Sequence, residues 1–186
     1  MKKAEREELL RRKLTEMKAF ERPYYEKGAE TLAGVDEAGR GPLAGPVVAA
    51  CVVLPPDFDI LGVDDSKRLS EKKRKELASV IQQEAFAYGL AMADEKTIDE
   101  INILEATKGA MRMAVERANE MLLEKTGNVI SHVLLDAITL SDMDLPQTAI
   151  VGGDGKSISI AAASILAKVT RDALMVKYSE EYPGYA

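Results

Sequence analysis

The apolar and polar positions follow different rules in successive parts of the chain. In the first 30 residues Leu9, Leu10, Leu14, Met17 and Phe20 recur at roughly helical spacing among charged neighbours. This predicts an amphipathic helix over about 5–18 that ends before Pro23. From residue 31 the pattern becomes β-like. Residues 31–35 form a short apolar run, and 47–54 is rich in β-branched side chains and closed by Pro55 and Pro56. The Gly- and Pro-laden 38–46 between them reads as a turn. Ser70 caps a helix predicted to run to about 86, and 88–93 reads as an alanine-rich third strand. A long helix is predicted over about 97–125, opened by a capping box of Thr97 and Glu100, with Gly109 its one awkward residue. Residues 133–135 lead into Asp136 as a fourth strand, 141–147 is a polar loop, and 148–151 is a short fifth strand. After Gly152-Gly153-Asp154-Gly155 a helix is expected over about 157–178. Its first half, ISIAAASILA, is small and apolar, so it should lie buried against the sheet.

Three early strands in succession suit antiparallel neighbours, and later strands separated by a helix suit parallel addition. The expected fold is therefore α/β, a mixed five-stranded sheet flanked by helices. Residues 1–30 form an N-terminal helical extension and 31–186 the main domain. A length of 186 residues, 46% hydrophobic and 30% charged, fits a globular chain with one main core.

Composition narrows the chemistry. Cys51 is the only cysteine and His132 the only histidine, so an intrachain disulfide and a zinc-thiolate or poly-histidine centre are excluded. Cys51 reads as a small core residue, and His132 as a packed or exposed residue at a strand start. The apolar run 47–54 is too short to span a bilayer, and the start MKKAEREELLRRK lacks the apolar core of a secretory signal. These features point to a reducing, cytoplasmic compartment without a membrane partner. A net charge of −6 argues against binding nucleic acid by bulk charge and leaves local patches. The densest is 67–75, with six basic side chains and one acidic.

The acids are informative by position. Asp36 and Glu37 end the first strand, directly before Gly39-Arg40-Gly41 with Ala38 between; Asp136 ends the fourth, and Asp154 lies in the glycine turn past the fifth. If the first and fourth strands are parallel neighbours, Asp36 and Asp136 emerge side by side at one edge of the sheet, where open sheets carry their sites. Asp36 and Glu37 converge only if the strand breaks there, because adjacent strand residues face opposite ways. Clustered carboxylates stay ionised only around a cation, and an all-oxygen set favours Mg²⁺ or Mn²⁺. Two ions about 3.5–4 Å apart would clamp the attacking and leaving oxygens of a phosphodiester. Spacing alone leaves open that each acid is an ordinary loop-end residue.

The motifs that carry these acids resemble a known family. GVDEAGRGPLAGPVVAA at 34–50, DDSKRLSEKKR at 64–74, INILEAT at 101–107, HVLLDA at 132–137 and GDGKSISIAAASILAKVTRD at 153–172 are together similar to type 2 ribonucleases H, the ribonuclease HII family. The resemblance implies a ribonuclease H-like catalytic domain over 31–186, working as a monomer. It implies an endonuclease that cuts the RNA strand of RNA–DNA hybrids and cuts 5′ of ribonucleotides embedded in duplex DNA, leaving 5′-phosphate and 3′-hydroxyl ends. The family's four catalytic acids fall on Asp36, Glu37, Asp136 and Asp154, which would hold two Mg²⁺ or Mn²⁺ ions. Gly39, Arg40 and Gly41 would contact the ribose 2′-OH, and Ser66 and Lys67 a phosphate. Asp172 is expected to be structural.

The chain departs from that pattern in two places. The family usually has Lys-Gly-Asp followed by Ala or Ser where this chain has Gly152-Gly153-Asp154-Gly155. The missing lysine removes a positive charge, and the extra glycine should loosen the turn that holds Asp154. The family also continues past YPGY into a Lys- and Gly-rich segment with a substrate-packing tyrosine, so the chain is expected to be truncated at its carboxyl end. Two alternatives stand beside the nuclease: a folded hybrid-binding module impaired in turnover, and a P-loop built on Gly155-Lys156-Ser157. The second lacks the required glycine, since Ile150 stands in its place.

Overall fold

A computed structural model describes residues 3–42 and 44–182 of the chain. The expected ending Tyr-Pro-Gly-Tyr lies, from 183 onward, outside the described residues. The first helix, α1 (Lys3–Glu26), passes through Pro23 instead of ending before it. Pro23 sits in the last turn, where its missing N–H forfeits only one bond. That turn is held from outside, because Phe20, Tyr24 and Tyr25 pack on Leu32, Leu134, Ile150 and Ile160. The chain then forms β1 (Leu32–Ala38), β2 (Val47–Val53), α2 (Glu71–Glu84) and β3 (Ala87–Ala93). It continues with α3 (Glu95–Ile101), α4 (Ile103–Thr126), β4 (His132–Asp136), β5 (Gln147–Ile150) and α5 (Ile158–Glu181). Short 3-10 turns occupy Ser66–Arg68 and Gly153–Gly155.

The five strands form one mixed sheet in the order β3-β2-β1-β4-β5. β1 pairs antiparallel with β2 and parallel with β4, while β2–β3 is antiparallel and β4–β5 parallel. Side chains alternate between the two faces. On one face Ala50 and Val52 join Leu14 and Met17 of α1, Leu77 and Ile81 of α2, and Ile165 of α5. On the other, Ala49, Cys51 and Val53 join Met111, Ala114 and Leu122 of α4. The small-residue half of α5 is buried from Ile158 to Ala167, as its composition predicts. It lies directly on β1: a Cβ on Gly34 would stand 2.1 Å from the Ser159 carbonyl carbon, so only glycine permits this approach. That contact brings the turn ahead of α5 to the carboxyl ends of β1 and β4.

The helix expected over 97–125 is two helices. Asn102 adopts a left-handed φ of 71° between α3 and α4. Its side-chain oxygen accepts from the amides of Leu104 and Glu105 at 3.0 and 3.1 Å. Asparagine tolerates this conformation because its short amide bonds locally, so it both ends one helix and caps the next. The cap of α3 is Asp94, which accepts from the Thr97 amide at 2.9 Å, so Thr97 is a donor inside the first turn. Gly109 remains within α4.

His132 packs at the far end of β4, with Nε2 3.0 Å from Thr148 Oγ1 and its ring 5.2 Å from that of Tyr24. Cys51 is fully buried in β2, and burial pushes its thiol up. No helix among the described residues is long and apolar enough to cross a membrane.

Candidate active site

The pairing of β1 with β4 builds the site. Val35 stands opposite Leu135 as the last pair of the β1–β4 ladder, so the next residues, Asp36 and Asp136, lie side by side just beyond it. Asp154 arrives from the Gly153–Gly155 turn. One carboxylate oxygen of each of the three lies within 4.8 Å of the others. The turn is pinned despite its glycines. The Gly153 amide donates to Asp136 Oδ1 at 2.7 Å, and the Lys156 and Ser157 amides donate to the Gly153 carbonyl at 2.9 and 2.8 Å. The expected loosening of Asp154 is thus opposed by a closed set of bonds.

The fourth acid stands apart. β1 does not break at Asp36; it runs on to Ala38, pairing Asp36 with Ala50 and Glu37 with Ala49. Alternation therefore keeps Glu37 out of the group of three. Glu37 Oε1 accepts from Arg40 Nη1 at 3.2 Å, while Oε2 is buried without a hydrogen-bond partner.

Charge in this corner is under strain. Burial, followed by the charges of Glu37 and Asp136, holds the Asp36 carboxyl well above the usual carboxylate range. Burial also raises Glu37, against the opposing Arg40. Asp154 is raised by burial, then by Asp65 and Asp136, with Lys67 opposing. Such a cluster is relieved by protons or by a cation. Hard oxygens alone suit Mg²⁺ or Mn²⁺, and the orphaned Glu37 Oε2 is an acceptor that an ion or its water would satisfy. The donor set fits a divalent cation.

Next to the acids, the loop after β1 is tied to α5. Gly39 has φ 113°, and a Cβ there would meet Arg171 Nε and the Pro46 carbonyl oxygen, each at 2.5 Å. Arg171 is only 6% exposed, and it donates from Nε to the Pro46 carbonyl at 3.0 Å and from Nη2 to the Ala44 carbonyl at 2.9 Å. Arg40 is exposed and Gly41 has open space around it. These residues line one side of a cavity of about 680 Å³, faced by Ile98 and Tyr178.

The second predicted contact divides. Lys67 reaches the site, with Nζ 3.4 Å from Asp154 Oδ2. Ser66 is buried; its amide donates to Ser164 Oγ at 3.1 Å and its carbonyl accepts from Arg74 Nη1 at 3.2 Å. Arg74 also reaches the Leu69 carbonyl at 2.6 Å and Asp172 at 3.6 Å, so this part of the basic patch is structural. Asp172 pairs with Lys168 at 2.6 Å and is structural, as expected. The P-loop alternative gains nothing: Lys156 Nζ donates to the Val151 carbonyl at 2.7 Å, and the Ser157 hydroxyl donates to Glu21.

Three residues near the site escape the sequence pattern. Arg171 shares α5 with Lys168 and Lys177, so its charge alone does not single it out. Asp65 influences Asp154 from a separate segment. Glu21 lies on the same helical stripe as the buried Leu14 and Met17, at spacings of three and four.

The chain is similar to known proteins. A family model described as Ribonuclease HII matches residues 33–186. The Ribonuclease HII of Caldanaerobacter subterraneus subsp. tengcongensis is 52% identical over 174 residues, covering 94% of this chain and 69% of that protein. That of Enterococcus faecalis is 50% identical over 189 residues, covering 100% of this chain and 71% of that protein. Among solved structures, the ribonuclease H2 from Pyrococcus horikoshii OT3 matches with a TM-score of 0.67 at 29% identity, over 82% of this chain and 77% of that one. A Bst RNase HIII in complex with Mn²⁺ shares the fold at 21% identity and a TM-score of 0.63, over 84% of this chain and 56% of that one. With its acids at the carboxyl ends of β1 and β4, its Gly-Arg-Gly loop beside them and a family match over most of its length, the chain belongs to the ribonuclease HII family.

Proposed function

We propose that the chain is a ribonuclease H that hydrolyses the RNA strand of RNA–DNA hybrids and cuts 5′ of ribonucleotides embedded in duplex DNA. The products carry 5′-phosphate and 3′-hydroxyl ends. The observation that carries this reading is the convergence of Asp36, Asp136 and Asp154 within 4.8 Å in a member of this family. Asp36, Glu37, Asp136 and Asp154 would hold two Mg²⁺ or Mn²⁺ ions. Such ions supply an activated water and charge to stabilise the leaving 3′ oxygen.

The chain's own side chains account for the rest. Gly39 and Gly41 let the backbone approach the minor groove, where the 2′-OH distinguishes RNA from DNA. Arg40, held to Glu37, projects from the same loop. Arg171 fixes that loop from α5. Lys67 offers an exposed ammonium to a substrate phosphate, and the buried Ser66 anchors the turn from which it projects. The proposed division is an N-terminal extension over 1–30 and a catalytic domain over 31–186; within the described residues α1 packs on that domain through Leu14, Met17, Phe20, Tyr24 and Tyr25. The reading is of a monomer in the cytoplasm, and the single buried cysteine supports a reducing compartment.

Cleavage of a duplex carrying one embedded ribonucleotide, with Mg²⁺ or Mn²⁺, tests the proposal. Cutting 5′ of the ribonucleotide is expected. Metal-dependent binding without cleavage at saturating protein overturns the enzyme reading in favour of a binding module.

A further inference from the structure

A carboxylate of the N-terminal helix is buried at the amino end of α5. Glu21 is 4% exposed, in a helix whose other contacts with the domain are apolar or lie further toward its start. Oε1 accepts from Ser157 Oγ at 2.5 Å and from the Ser159 amide at 2.8 Å. Oε2 accepts from Ser159 Oγ at 3.3 Å. The local reason is plain: unpaired amides and the positive end of the helix dipole favour an anion at this position.

The consequence reaches the acids. Ser157 Oγ donates to Glu21 and accepts from the Ile160 amide at 3.2 Å, so its rotamer is held from both sides. The Ser157 amide donates to the Gly153 carbonyl at 2.8 Å, which closes the turn carrying Asp154. The Gly153 amide in turn donates to Asp136 Oδ1 at 2.7 Å. A continuous chain of hydrogen bonds therefore runs from Glu21 through Ser157 and Gly153 to Asp136, with Asp154 on the segment between.

We propose that Glu21 is a positioning residue of the metal site, fixing through Ser157 the turn that sets Asp154 against Asp136. This rests on reading Asp36, Asp136 and Asp154 as ligands. Helix α1 has other anchors: Leu14 and Met17 are buried, Lys13 pairs with Asp64 at 2.5 Å, and Lys18 donates to the Phe58 carbonyl at 2.9 Å. Removing Glu21 should therefore leave the helix docked and loosen the turn.

The test uses the full chain and two readings, free Mn²⁺ titrated by electron paramagnetic resonance and cleavage of the single-ribonucleotide duplex. Glu21→Ala is expected to weaken Mn²⁺ binding about tenfold, the scale of lost outer partners of ligands. It should also lower kcat at fixed Mg²⁺ with KM for the duplex unchanged. Glu21→Gln retains an acceptor oxygen for Ser157 and Ser159, so it should recover most of the loss. Should Glu21→Ala fail to fold, Ser157→Ala, which leaves Glu21 in place, decides on the same readings. A lower Tm with wild-type Mn²⁺ affinity and kcat overturns the proposal and leaves Glu21 a structural residue. If the wild-type chain binds Mn²⁺ but cuts nothing, the functional reading fails while the Mn²⁺ titration still decides the role of Glu21.

Discussion

The Lys67 ammonium stands 3.4 Å from the Asp154 carboxylate although the lysine side chain is 78% exposed. An ion pair this open contributes little to stability. Its effect is on charge: it places a cation beside the acids, next to a turn that begins with the uncharged Gly152. A long exposed side chain can leave Asp154 for a substrate phosphate.

Lys67→Ala should therefore leave Tm almost unchanged and raise KM for the duplex. The salt dependence of duplex binding should lose about one unit of slope, the signature of one lost phosphate contact. Mn²⁺ should bind the free protein more tightly, since a competing charge is gone. Binding isotherms across a salt series check this, and an unchanged slope would remove Lys67 from the phosphate contacts.

Asp36 links the site to pH. Burial, with Glu37 and Asp136 adding, raises its carboxyl above the unfolded value. The native state then binds protons that the unfolded state has already lost. Stability of the metal-free protein is full below the ordinary carboxylate range, falls as pH rises through the raised native value, and levels off above it. A bound divalent cation removes the repulsion, so stabilisation by Mg²⁺ should grow across the same window. Asp36→Asn should raise Tm in EDTA at neutral pH while cleavage falls by about 10²–10³-fold or more. Melting curves across pH, with EDTA and with Mg²⁺, provide the measurement; metal-free stability that increased through that window would contradict the assignment.

Arg171 offers a separate handle on the substrate loop. Arg171→Met leaves the carbonyls of Pro46 and Ala44 without their donor, at a cost of about 1–3 kcal/mol. The loop over 39–46 should loosen, raising KM more than it lowers kcat. Arg171→Lys should not restore either property, because an ammonium cannot present the two-pronged donor. Urea denaturation and steady-state kinetics of both variants decide; a lysine variant with wild-type stability and KM would show that the fork is dispensable.

Much of this architecture was legible along the chain. Apolar runs leading into Asp36 and Asp136 marked where the β1–β4 pairing ends, and the small-residue run at the start of α5 marked a helix pressed on the sheet. The glycine turn drew attention to Asp154. Other features were hidden because the deciding interactions are long-range. Pro23 looks like a helix end until Leu32, Leu134, Ile150 and Ile160 are seen holding the last turn. Asn102 carries no strong break signal within a helical pattern, yet its backbone turns left-handed there. Glu37, one residue from Asp36, read as its equal; the unbroken strand separates them.

By itself, the sequence determined most of the elements and the mixed sheet and pointed to four candidate acids, because local periodicity, turn chemistry and long specific motifs are properties of neighbouring residues. Only the tertiary structure decided which carboxylates meet. The parallel register of β1 on β4 brings Asp36 to Asp136, and the approach of α5 over Gly34 carries Asp154 to them. The tertiary structure also decided that Arg171 and Glu21, unremarkable in their own segments, hold the loop and the turn around the site. Burial turned an arginine and a glutamate that could have been solvated into obligate hydrogen-bonding partners, and burial depends on parts of the chain more than 100 residues away.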